Sequence, residues 1–112
     1  MNARWVSVAV ATVLTMAAIQ ANAEEGLELA NKSGCLACHS VGKKVVGPAW
    51  QDVANKYKGD AGARERLIEK IKNGGKGNWT DVTGGVPMPP YSPRVPDADI
   101  AKLVDFILGL AK

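Results

Sequence analysis

Cys35-Leu36-Ala37-Cys38-His39 constrains this chain more than any other stretch. The only two cysteines stand three positions apart, and the only histidine follows directly. C-x-x-C-H is the attachment pattern of a c-type haem. Two intervening residues let one turn of backbone present both thiols to one porphyrin edge, where they add across the vinyl groups as thioethers. The histidine nitrogen then reaches the iron from the same side. Two other chemistries use a close cysteine pair. A structural zinc needs four ligands, and Cys35, Cys38 and His39 are the only candidate Cys and His residues. A thioredoxin-like redox pair expects a βαβ setting, which this sequence lacks.

The N-terminus decides the compartment. Arg4 supplies one positive charge, Trp5 to Ile19 form an apolar run broken only by Ser and Thr, and Ala21-Asn22-Ala23 ends it in small residues. That order describes a secretory signal peptide, cleaved before Glu24. The run is short of the ~20 apolar residues of a membrane span, so no stable membrane insertion is expected after cleavage. The expected mature domain is residues 24–112. In an oxidising compartment two neighbouring thiols drift towards a disulfide, and consuming both as thioethers removes that hazard. A haem-attached protein exported this way points to the bacterial periplasm. The sequons at Asn31 and Asn78 carry no weight there.

Eighty-nine residues form one domain, near the size at which an unaided core is marginal. A covalently held haem supplies the missing apolar centre. Loss of Arg4 with the leader leaves 13 Lys and Arg against 11 Asp and Glu, which is no case for nucleic acid.

Periodicity reads as short helices between Gly- and Pro-rich loops, with no useful run of period two. Glu24 to Ser33 forms the first helix, its acidic residues at the favourable end of the dipole. Gly34 turns the backbone before Cys35. In Ala49 to Tyr57, residues Trp50, Val53, Ala54 and Tyr57 share one face. Ala63 to Asn73 repeats the pattern with Leu67, Ile68 and Ile71, and Gly74-Gly75 stops it. Asp97 is placed to cap the last helix, whose stripe is Ile100, Leu103, Val104, Ile107 and Leu108. Phe106 lies beside that stripe and suits a crossing against the first helix. The fold class is all-α, about four short helices wrapped around one haem.

Gly74 to Pro93 reads as irregular. Its Gly74-Gly75-Lys76-Gly77 lacks both the frame of a phosphate loop and the preceding strand. Its important residue is Met88, the one methionine outside the leader, set in Val86-Pro87-Met88-Pro89-Pro90. A lone Met is ordinarily a gap-filler. Three prolines around it restrict the backbone and suit a thioether held at fixed distance. With His39 on one face of the iron, Met88 is the expected ligand on the other.

The ordered set of Gly34 to His39, Val46-Gly47-Pro48-Ala49, Lys70-Ile71-Lys72-Asn73-Gly74 with Trp79 after it, and Val86 to Pro90 resembles the small bacterial class I cytochromes c, periplasmic monohaem electron carriers. The resemblance spans the whole mature chain. It implies thioethers at Cys35 and Cys38, and His39 and Met88 as axial ligands. It further implies that the Pro48 carbonyl accepts a hydrogen bond from His39 and that Trp79 bonds a haem propionate. This sequence departs from the shortest members in the longer Thr80 to Pro87 segment. It also has Tyr91 where some relatives carry an amide near the Met sulfur.

Two protein ligands leave the iron no open position, so the expected function is outer-sphere transfer of single electrons, not enzymatic catalysis. A thioether favours the ferrous form and raises the potential, while a carbonyl bonded to the imidazole tempers that rise. Axial identity moves haem potentials over ~0.8 V, and this pair points to the positive side. Lys32, Lys43, Lys44, Lys56 and Lys58 are candidates to surround an exposed porphyrin edge. The expected partners are a membrane quinol-oxidising complex or other donor, and a terminal reductase, oxidase or peroxidase, met by a monomer. The competing readings are a haem enzyme or gas sensor with an open sixth position, a haem subunit of a larger oxidoreductase, and a haemless C-x-x-C protein.

Overall fold

The computed structural model describes residues 22–112. All of the expected leader except positions 22 and 23 lies outside the described residues. The first helix, α1, occupies 22–32, so it passes through the junction where cleavage is expected and ends one residue before Ser33. Gly34 follows at φ 84°, and a single 3-10 turn, Cys35–Ala37, opens on Cys35 and is capped by Cys38. Left-handed backbone there is cheap only for glycine.

Four more helices follow: α2 Trp50–Lys56, α3 Ala63–Asn73, α4 Thr80–Thr83 and α5 Asp97–Leu108. Among the described residues there is no strand, only two isolated bridges, His39 with Lys44 and Gly75 with Met88. Two expectations need correcting. The stretch from Gly74 to Pro93 contains a helical turn, α4, capped by Trp79 and by Gly84 at φ 66°. Asp97 does not cap α5 either; Pro96 is the N-cap, and Asp97 and Asp99 sit in the first turn. There their charge suits the helix dipole, and the Asp97 carboxylate stands 3.6 Å from Lys72 Nζ of α3.

Helix α5 packs across both α2 and α3. Its stripe serves two clusters. Leu103 and Ile107 join Ala30, Cys35, Trp50 and Val53; Ile100 and Val104 join Ile71, Tyr91 and Val95. The crossing of α1 and α5 is set by Gly26 and Phe106, as the aromatic bulk of Phe106 led us to expect. A methyl group on Gly26 would lie 2.8 Å from Phe106 Cβ and overlap the ring. Outside the core, Arg64 grips Asp105 through Nε at 2.8 Å and Nη2 at 3.2 Å, tying α3 to α5. Both side chains are about half exposed, so solvent screening leaves the pair little weight in stability.

Candidate functional site

The segment from His39 to Trp50 is closed by backbone bonds. The Cys38 carbonyl accepts from Val46 N at 3.2 Å and Gly47 N at 2.8 Å, while Trp50 N reaches the Ser40 carbonyl at 3.0 Å. This loop brings Pro48 back onto the histidine. His39 Nδ1–H donates to the Pro48 carbonyl at 2.9 Å. A carbonyl accepts only, so the bond places the proton on Nδ1 and leaves the Nε2 lone pair free. Burial pushes the imidazole below its ordinary pKa, against the smaller upward pull of the Pro48 bond. The neutral ring is the form a metal needs.

Two neighbours of this ring went unrecognised in the sequence. Trp50 stacks on it, with centroids 5.4 Å apart and planes 21° from parallel. Gly47 lies so close that a Cβ would come within 2.6 Å of His39 Cε1 and 3.0 Å of both ring nitrogens. Helical spacing marked Trp50 only as core, and Gly47 only as part of a Gly-Pro loop.

Met88 is positioned from the opposite end of the chain. Its N–H donates to the Gly75 carbonyl at 3.0 Å, and its carbonyl accepts from Gly75 N at 2.8 Å. Further on, Tyr91 N bonds the Ile71 carbonyl at 3.0 Å and Ser92 N the Lys72 carbonyl at 3.2 Å. The strap bearing Met88 is therefore fastened to the last turn of α3. Gly74 permits this at φ 71°, since a Cβ there would lie 2.8 Å from Pro90 N and collide with the Met88 carbonyl. The surrounding prolines restrict the strap, but these bonds decide where it lies.

Cys35, Cys38, His39, Pro48, Trp79 and Met88 all line one predominantly apolar cavity of about 330 Å³. Trp50, Val53, Leu67, Ile71, Leu103, Val104 and Ile107 supply its hydrophobic walls. Burial pushes the Cys35 thiol up, opposed in part by the charge of Arg94. Of the five lysines expected near a porphyrin edge, none lines the cavity; the cations that do are Arg66, Lys70 and Lys76. Lys56 instead lies over the Trp79 ring, 4.8 Å from its centroid. Tyr91 is buried on the cavity wall, with Arg94 4.9 Å over its ring.

The donor set suits a haem: two thiols, a neutral imidazole and a thioether around an apolar space, with cations at its rim. A sequence model of the cytochrome c family matches residues 23–111. The chain belongs to the cytochrome c family. Cytochrome c-551 of Allochromatium vinosum is 58% identical over 84 residues, covering 75% of this chain and 84% of that protein. Cytochrome c-552 of Nitrosomonas europaea is 42% identical over 110 residues, 98% of this chain and 99% of its own length. The crystal structure of wild-type Nitrosomonas europaea cytochrome c552 matches with a TM-score of 0.67 at 48% identity, covering 75% of this chain and 98% of that one. This is a small class I cytochrome c, an electron carrier with one covalently attached haem c. No described helix is long and apolar enough to cross a membrane.

Proposed function

We propose that this cytochrome c carries single electrons between periplasmic redox proteins through a haem closed on both faces by His39 and Met88. The observation that carries the reading is the convergence of both side chains, with Cys35 and Cys38, on one apolar cavity. The bound haem supplies the Fe(III)/Fe(II) couple.

The chain's own residues do the rest. Cys35 and Cys38 tether the porphyrin. His39 offers Nε2 as ligand while Pro48 holds Nδ1–H and keeps the imidazole basic. Met88 offers a soft, neutral sulfur, which favours the reduced state and raises the potential. The buttressed strap keeps that sulfur in place in both redox states, so reorganisation is small. Trp79 and the cations Arg66, Lys70 and Lys76 serve the haem propionates, with Lys56 bracing the indole. A haem iron held by both His39 and Met88 would have no coordination site left for a substrate, so these residues suit a carrier and not an enzyme.

Residues 1–23 are an export leader and 24–112 the mature domain. The donor is a membrane quinol-oxidising complex or a comparable reductant, and the acceptor a terminal reductase, oxidase or peroxidase. The intact mass of the periplasmic protein tests the boundary: it begins at Glu24 and carries one haem. Carbon monoxide tests the closed iron. The ferrous protein binds none rapidly at neutral pH; fast stoichiometric binding would restore the sensor or enzyme reading.

A further inference from the structure

We infer that Trp50 is a positioning residue for the axial imidazole and that Phe106 braces it, linking the α1–α5 crossing to the iron ligand. This rests on the reading of His39 as a ligand. The Nδ1–H bond to Pro48, at 2.9 Å, fixes one point of the ring. A ring held by one hydrogen bond still turns about that bond. The indole face stacked at 5.4 Å and 21° removes this freedom, in the offset geometry aromatic pairs prefer. Gly47 limits the space at Cε1.

The indole is itself fixed. Trp50 is 3% exposed, and its backbone N–H donates to the Ser40 carbonyl at 3.0 Å, which ties the start of α2 to the residue after the ligand. Phe106 of α5 meets the indole edge-on, with centroids 6.0 Å apart and planes at 89°. Behind Phe106 lies Gly26 of α1, whose missing side chain makes room for that ring. The contacts therefore run without a gap from α1 through Phe106 and Trp50 to His39. The plane of an axial imidazole sets its overlap with the iron d orbitals, and steadying Nδ1–H against its carbonyl keeps the ligand basic. A tryptophan that merely filled the core would affect neither.

The test uses the haem-loaded protein and its Trp50→Phe, Trp50→Leu and Phe106→Leu variants. Two readouts report on the imidazole: the pattern of paramagnetically shifted haem-methyl resonances in the ferric state, and solvent exchange of His39 Nδ1–H. Trp50→Leu is expected to reorder or compress the methyl pattern and to speed exchange about fivefold or more, the factor for losing roughly one hydrogen bond's stabilisation. Trp50→Phe, which retains an aromatic face, keeps the wild-type pattern. Phe106→Leu, which leaves every direct neighbour of His39 in place, shifts both readouts in the direction of Trp50→Leu by less. Trp50→Leu with wild-type pattern and exchange, whatever its loss of thermal stability, would overturn the inference. Should that variant fail to fold, Phe106→Leu decides: a shifted pattern supports the brace, and an unchanged one contradicts it. Failure of the underlying reading looks different, since the wild-type protein itself would then show no paramagnetically shifted His39 imidazole resonances.

Discussion

Gly75 and Met88 exchange two backbone hydrogen bonds, N–H to carbonyl in each direction, at 2.8 Å and 3.0 Å. This bridge joins the second residue past α3 to the methionine that lines the cavity. The position of the sulfur thereby depends on the end of a helix some fifteen residues away in sequence, whose cap is the neighbouring Gly74.

Gly74→Ala tests that dependence. An alanine at φ 71° is strained, and its Cβ would press on the Met88 carbonyl and on Pro90 N. With ψ at −162° this backbone lies in a region open essentially only to glycine and costs a residue with a Cβ ~1–3 kcal/mol, and forced overpacking adds ~1–3 kcal/mol. We expect ~2 kcal/mol or more of lost stability in guanidinium unfolding. The strap must shift, so the same variant should bind added cyanide or imidazole in the ferric state more readily than wild type.

Gly47→Ala probes the other face of the cavity. The new methyl would stand 2.6 Å from His39 Cε1, so the imidazole or the loop must yield. We expect a loss of ~1–3 kcal/mol together with a changed midpoint potential. A wild-type potential in a stable Gly47→Ala protein would show that the loop absorbs the methyl without moving the ligand.

Gly26→Ala acts at the helix crossing. Its Cβ would overlap Phe106, and separating α1 from α5 costs ~1–3 kcal/mol as overpacking. Thermal unfolding followed by far-ultraviolet circular dichroism measures it. In a Phe106→Ala background Gly26→Ala should cost less, because the ring atoms its methyl overlaps are gone and only the contact with Cβ at 2.8 Å remains.

Tyr91 gives the protein a sensitivity to alkali. Burial pushes its phenol above the ordinary value of 10.0. Charge on the two cysteines adds to the rise, but that contribution disappears once both are thioethers; Arg94 opposes it. The folded state thus favours the neutral phenol. Above pH 10 the unfolded chain releases this proton first, and stability falls as pH rises further. Tyr91→Phe should flatten the alkaline limb of a stability-against-pH curve and leave the neutral region nearly unchanged.

The sequence revealed the parts of the molecule whose chemistry is local. Cys35, Cys38 and His39 form a haem-attachment pattern legible from spacing alone, and the stripe of α5 declares its burial through period. The four residues of α4 were hidden because one turn between glycines has no periodicity to read. Asp97 looked like a cap because Asp commonly is one, yet Pro96, already in extended backbone at φ −61° and ψ 149°, takes that place. The cations of the cavity wall were hidden for a different reason. Which cations reach the cavity depends on the turn that α3 makes against α5, and so Arg66 and Lys70 line it while Lys56 covers Trp79. Trp50 showed its helical face but not its neighbour, since the stack on His39 forms only when the loop between them closes.

Ligation of the iron by Met88 is read from the weak sulfur-to-iron charge-transfer band of the ferric protein. With Met88 as ligand the wild-type protein shows the band and Met88→Ala loses it, the haem remaining attached through Cys35 and Cys38. A band that persists in Met88→Ala, or is absent from the wild-type protein, would contradict that ligation.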